Sequence, residues 1–348
     1  MTSRERWQAV LSGKKPDRWP TDFWSTGEVL ERLQKELRCK DADELWQRLK
    51  IDRPFGIGGR YRGPDLGDKT IWGVRHKPQT YADGAGVYNE VADHPLAAAK
   101  TVQDVLRYPW PDPDWYDFSE VKAKLAKAGD RVVQGGGYEP FLIYCEMRGL
   151  EQAFIDLLEA PEVVDAAIGR IFDFHYAINE RLFEAGAGRI DVTYVAEDLG
   201  SQHSLLMSLD LIRRILLPRI RKMIQLAHDC GIKVLYHTDG AARPVIPLLI
   251  DAGIDALNPI QWRCPGMERE GLARDFGGRI AFHGAVDNQQ TLPFGTPADV
   301  RNEVRENIEI FGKTRGYVIA PCHNIQPITP TENILALYEA AQEYGKVC

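Results

Sequence analysis

The residues best suited to chemistry stand at the ends of two short apolar runs. Lys233-Val-Leu-Tyr-His237-Thr-Asp239-Gly240 ends on an imidazole and a carboxylate two positions apart, and Gly316-Tyr-Val-Ile-Ala-Pro-Cys322-His323 ends on a thiol and a second imidazole. Residues two apart on an extended chain share a face, so His237 and Asp239 can aim at one point. Imidazole, thiolate and carboxylate together suit a borderline-soft ion such as zinc, and three protein ligands with an open position make a catalytic site. His237, Asp239 and Cys322 are therefore the candidate metal ligands. The alternative is a hydrogen-bonded histidine beside a packed thiol.

A second constellation is Glu197-Asp198, which follows Ile190-Asp-Val-Thr-Tyr-Val-Ala196. Strand alternation turns one of these carboxylates inward and the other outward. An inward carboxyl near an apolar opening acquires a raised pKa and can transfer protons, whereas a rim acid would be salt-bridged. Glu197, Asp198 and His323 are the candidates for proton transfer. Trp24, Arg60, Tyr138, Glu139, Asn258, Gln261 and His283 stand at or beyond other strand ends and are the candidate substrate contacts, with Arg60 suited to an anionic group. Gly135-Gly-Gly137 either turns the chain or admits a ligand to the backbone.

These residues need a scaffold that gathers strand ends. Eight strands are predicted, at Arg18–Trp24, Ile51–Gly56, Arg131–Gly136, Ile190–Ala196, Lys233–His237, Asp255–Ile260, Arg279–Gly284 and Gly316–Pro321. Helical periodicity covers Ser3–Leu11, Glu28–Leu37, Asp43–Leu49, Gly149–Leu158, Pro161–Ala185, Asp210–Asp229, Pro244–Ala252, Met267–Phe276, Pro297–Phe311 and Pro330–Tyr344, with Thr331 as an N-cap. That alternation gives an α/β chain forming a single distorted (β/α)8 TIM barrel over residues 1–348, with its chemistry at the carboxyl ends of the strands. No Gly-x-Gly-x-x-Gly turn follows the first strand, which argues against a doubly wound sheet. Residues 58–113, rich in Gly, Pro and aromatics, read as an excursion from the barrel. Within it Ile71–Arg75 is expected to pair with Gly86–Val91 through a turn at Tyr81-Ala-Asp-Gly84.

Composition narrows the function classes. A net charge of -7 over 348 residues with no basic cluster disfavours nucleic acid and anionic membranes as partners. No apolar run reaches membrane-spanning length and the first residues do not resemble a signal peptide, so a cytoplasmic location is expected. Six dilute cysteines fit a reduced compartment.

An ordered series of motifs resembles the uroporphyrinogen decarboxylase-like superfamily. It comprises Glu197-Asp-Leu-Gly-Ser-Gln202, Tyr236-His-Thr-Asp-Gly240, Ala252-Gly-Ile-Asp-Ala-Leu-Asn-Pro-Ile-Gln261, His283-Gly-Ala-Val-Asp287 and Ala320-Pro-Cys-His-Asn-Ile-Gln-Pro327. The resemblance implies the barrel and a homodimer. It also implies one of two chemistries. True decarboxylases of the family hold porphyrinogen carboxylates on arginines after the first strand, where this chain reads Phe23-Trp-Ser-Thr-Gly-Glu-Val-Leu30. Without those arginines the anionic tetrapyrrole would be buried unpaired, at large cost. The corrinoid-dependent methyltransferase branch binds zinc through His-x-Cys and a later Cys, which His237 and Cys322 match while Asp239 replaces the middle thiolate. In that event Asp239, Glu197 or His323 completes the set. The expectation is a methyltransferase moving a methyl group between a small molecule (an aryl methyl ether, methylamine or betaine) and a methyl-corrinoid carried by a corrinoid-binding protein. Uroporphyrinogen decarboxylation is the alternative.

Overall fold

The computed structural model describes residues 1–81 and 86–347. Seven parallel strands form one curled sheet in chain order: β1 (Phe55–Ile57), β2 (Val133–Gly135), β3 (Val192–Ala196), β4 (Lys233–His237), β5 (Ala256–Asn258), β6 (Ala281–Val286) and β7 (Tyr317–Pro321). Helices cross between successive strands from β2 onward, as parallel pairing requires. A parallel sheet covered on both faces demands near-continuous apolar strands. Accordingly β6 and β7 are buried at every position and β4 at all but its first.

The eighth strand expected at Arg18–Trp24 is not a strand. Thr21 makes an isolated parallel bridge to Ile319, Pro20 O accepts from Ile319 N at 2.9 Å, and Asp22 N donates to Ile319 O at 2.9 Å. On its other side Thr21 O accepts from Asp52 N at 2.9 Å, three residues before β1. The segment thus spans the two edges of the sheet. Pro20 has no N–H to offer, which limits it to bridging.

Most expected helices stand within a residue or two of their observed bounds, and Ser3–Leu11 and Pro297–Phe311 coincide with them. Pro140–Arg148 was not expected as a helix; it starts on a proline at its first position, a signal the preceding glycines obscured. The helical run after Ser208 carries a π-turn at Ile212–Leu216, just before Pro218, where the missing proline N–H breaks the regular ladder. Thr331 is the first helical residue and Pro330 the cap, a correction to the expected N-cap.

In the excursion, Arg75–Tyr81 pairs with Gly86–Asp93, so the first hairpin strand begins where the expected one ended. Ile71-Trp-Gly-Val packs instead, with Trp72 and Val74 buried in the same core as the sheet and Trp72 against Phe174 at 5.1 Å. The expected turn falls largely on 82–85, outside the described residues. Among the described residues no helix is long and apolar enough to cross a membrane.

Candidate metal centre and active site

His237 ends β4, Asp239 follows two residues later, and His323 lies two residues beyond β7. One ligand atom from each lies within 4.8 Å of the others. His237 Nε2 is 3.8 Å from Asp239 Oδ1 and 3.6 Å from Asp198 Oδ1, and His323 Nε2 is 3.7 Å from Asp239 Oδ2. Ligands held at zinc distances on a tetrahedron stand about 3.3–3.4 Å apart, so small side-chain adjustments would close this set on an ion. Asp239 Oδ1 is buried without a hydrogen-bond partner, which a cation would supply. Burial raises the Asp239 pKa against the opposing charges of His237 and His323, with Asp198 adding to the rise. Two imidazoles and one carboxylate fit zinc and other divalent transition ions.

Cys322, expected as the third ligand, is not in this group. Its backbone N–H donates to Val286 O at 2.8 Å, which extends the pairing of β6 with β7, and its thiol donates to Ile260 O at 3.1 Å. The strand ends at Pro321 and the chain bends there, leaving Cys322 buried and the half-buried His323 on the cavity lining. Burial pushes the Cys322 thiol well above its ordinary pKa, with Asp287 and Glu303 adding to the effect.

Behind His237 runs a buried hydrogen-bond chain. His237 Nδ1 meets Asn258 Oδ1 at 2.6 Å, Asn258 Nδ2 meets His283 Nδ1 at 2.7 Å, and His283 Nε2 meets Asp22 Oδ2 at 3.1 Å. Asp22 also accepts from Phe23 N at 2.7 Å and Trp24 Nε1 at 2.8 Å. Burial alone would raise the Asp22 pKa; the His283 hydrogen bond, the Arg53 charge and the Trp24 N–H outweigh it and hold the carboxyl below its ordinary value.

The opening in front of these residues is a cavity of about 620 Å³. Trp24, Tyr194 and His237 form one wall, with ring centroids 5.3–6.0 Å apart. Carboxyls of Asp22, Glu139 and Asp198 line it, and Arg53 is the one lysine or arginine among its lining residues. That guanidinium is already engaged with Phe23 O and lies 3.5 Å from Asp22. Burial, then the charges of Asp198, Glu146 and Asp239, push the Glu139 carboxyl up to about 8. Burial raises the pKa of the Tyr194 hydroxyl, and the nearby Glu139, Asp198 and Asp239 carboxylates add to the rise.

The loops after β3 and β4 are fastened together. Glu197 N donates to His237 O at 3.1 Å, Leu199 N to Thr238 Oγ1 at 3.0 Å, Asp239 N to Asp198 Oδ1 at 3.2 Å and Ala241 N to Ser201 O at 2.8 Å. Gly200 and Gly240 permit this approach. A Cβ on Gly200 would lie 2.4 Å from Asp239 O, and one on Gly240 2.3 Å from Ser201 O.

Several sequence-based assignments move once placed. Glu197 is fully buried, accepts from Phe141 N at 3.1 Å and lies behind the cavity wall, while Asp198 lines it. Burial and Glu139 push the Glu197 pKa well up. Asn258 and His283 support His237 from behind and do not line the cavity. Tyr138 is buried with an unpaired hydroxyl, and Gln261 Oε1 accepts from Gly240 N. Arg60 pairs with Glu120 at 3.0 Å on an exposed two-stranded ribbon, away from the cavity, a correction to its anion-holding assignment. Tyr194, Arg53 and Asp22 were not among the assigned contacts. Tyr194 was signalled by its place two residues before Ala196 at the strand's end, whereas Arg53 carries no such signal.

Comparison with known proteins is consistent with this architecture. The family model described as Uroporphyrinogen decarboxylase (URO-D) matches residues 97–344. A uroporphyrinogen decarboxylase of Methylococcus capsulatus is 28% identical over 149 residues, covering 42% of this chain and 39% of that one. A methylated-thiol–coenzyme M methyltransferase of Methanosarcina mazei is 26% identical over 212 residues, covering 59% and 51%. The matched stretches thus span about half or less of these relatives' own lengths. A solved methyltransferase from Methanosarcina mazei superposes over 99% of both chains with a TM-score of 0.69 at 21% identity, which shows a shared fold. With more than half of its length matched by the family model, this chain belongs to the uroporphyrinogen decarboxylase family.

Proposed function

We propose that the protein is a methyltransferase of this family, moving a methyl group between a small methylated molecule and a corrinoid carried by a partner protein, with a divalent metal, zinc being the first candidate, held by His237, Asp239 and His323. The observation that carries this reading is the charge of the cavity. Its lining holds three carboxyls and a single, already engaged arginine. A porphyrinogen bearing many carboxylates would meet like charge at short range and leave its own charges unpaired. The two imidazoles line that cavity, and the half-buried Asp239 carboxylate lies beside them in a geometry suited to an ion. A relative bearing a methyltransferase name supports the same reading.

A metal bound there supplies Lewis acidity toward the heteroatom that loses the methyl group. The chain's own residues do the remaining work. Trp24 and Tyr194 give the substrate a flat wall. Glu139, neutral near pH 7, is placed to donate a proton to the departing heteroatom, while buried Glu197 is not. Its raised pKa suits a general acid.

The test is direct. Protein purified without added metal is expected to contain about one zinc or other divalent ion per chain, and to lose it in His237→Ala and His323→Ala but keep it in Cys322→Ser. Demethylation of small methylated ethers and amines is then followed as methylation of a cobalt(I) corrinoid, visible in its absorption spectrum. Turnover of uroporphyrinogen by the wild-type protein, or full methyl transfer by metal-free protein, would overturn the proposal.

A further inference from the structure

We propose that Asp22, His283 and Asn258 are positioning residues that hold His237 in the tautomer whose Nε2 is bare and faces the cavity. The inference rests on the metal-site reading above for its purpose, though not for its geometry.

The polarity of the chain is set at Asp22. Three of its partners, the Phe23 N–H, the Trp24 Nε1–H and the Arg53 guanidinium, are donors that cannot accept. Asp22 therefore accepts from all of them, and the fourth partner, His283 Nε2, must donate to it. The Asn258 group 2.7 Å from His283 Nδ1 is the amide NH2, which can only donate, so Nδ1 accepts through its lone pair. The other end of that amide is the carbonyl oxygen, 2.6 Å from His237 Nδ1, which must carry its proton there. His237 Nε2 is left as a lone pair, and it is this atom that lies 3.8 Å from Asp239 and 3.6 Å from Asp198.

The two middle members of the chain are sealed from solvent and the two ends nearly so. His283 and Asn258 are 0% exposed, Asp22 2% and His237 4%. Trp7 and Trp24 pack on the His283 ring at 5.8 and 5.7 Å, which fixes its plane. The carboxylate at the far end of this hydrogen-bond chain thereby dictates which imidazole nitrogen of His237 is a ligand. The opposite tautomer would present an N–H to the carboxylates and could not bind a metal.

Long-range proton–nitrogen NMR of the 15N-labelled, metal-free protein at pH 8 reads the tautomer directly. In the wild type His237 is expected with its proton on Nδ1. Asp22→Asn, which can donate as well as accept, is expected to give a mixture of tautomers and a zinc Kd weaker by about 10–100-fold. Asn258→Asp still accepts from His237 Nδ1 and is expected to keep zinc affinity near that of the wild type. Asn258→Leu, of similar size, is expected to lose it by the same 10–100-fold as Asp22→Asn. The two Asn258 variants are compared with each other, so the test holds even if Asp22→Asn does not fold. A wild-type His237 protonated on Nε2, or equal zinc affinity in Asn258→Asp and Asn258→Leu, would overturn the inference. A wild type with the expected tautomer that binds no metal would instead sink the metal reading and leave this one intact.

Discussion

Glu139 shares the cavity with Asp198, feels the charge of Asp239 and immediately precedes the Pro140–Arg148 helix, whose N-terminal dipole favours the ionised form. Burial and like charge win, raising its carboxyl from an ordinary 4.5 to about 8. Below pH 4.5 both folded and unfolded chains are protonated there, and the group contributes no pH dependence. Between 4.5 and 8 the unfolded chain ionises first, so folding stability falls as pH rises, by at most about 1.4 kcal/mol per pH unit, and levels out above 8. Glu139→Gln removes that loss. In the metal-free protein its melting temperature is expected to exceed the wild-type value at pH 8 and to match it near pH 4; a difference that does not grow with pH would show the carboxyl already ionised. His237 and Asp239 were legible in sequence because a strand's period of two put them on one face. The choice between Cys322 and His323 was not, since either face of the chain after Pro321 could have met the opening. Only the pairing of Cys322 N with Val286 O fixes which one does.

Among the elements, the joined loops after β3 and β4 position Asp198 and Asp239 together. Gly200 has ordinary backbone angles, so its role is purely one of space. Gly200→Ala would drive a methyl group against the Asp239 carbonyl, and one loop must yield. The expected result is a loss of about 1–3 kcal/mol in stability, the usual range for overpacking, with weaker zinc binding measured on the folded variant. Unchanged metal affinity would mean that Asp239 moves freely of its neighbour loop. Regular elements were readable where apolar periodicity and caps agreed, as in Pro297–Phe311, which has Thr296 and Asp299 in a capping box. The segment around Thr21 was not readable as a bridge, because its apolar and aromatic residues also suit a strand. Its missing ladder depends on partners far away in sequence.

At the scale of the molecule, Asp52 ties the first helix to the sheet edge. Its carboxylate accepts from Arg6 at 3.2 Å, Arg18 at 2.6 Å and Thr21 N at 3.2 Å, and its carbonyl accepts from Trp7 Nε1 at 2.8 Å. The side chain is 3% exposed. Asp52→Ala strips a buried carboxylate from two arginines and is expected to cost about 3–5 kcal/mol, seen as a lowered midpoint in urea unfolding. A loss under about 1 kcal/mol would place the pair among weak surface bridges. The parallel α/β architecture was legible from alternating strand and helix patterns. The number of ladder strands was not, since sheet closure is decided by hydrogen bonds between opposite ends of the chain.

That closure has a consequence for how the protein is made. On one of its two sides Pro20–Asp22 finds its backbone partner at Ile319, across almost the whole chain. Contacts so distant in sequence form late, after the intervening segments have collapsed. A polypeptide emerging from the ribosome amino end first therefore carries Asp22 and His237 long before anything brings them into one network. The bridge at Thr21 cannot form until Ile319 has been made.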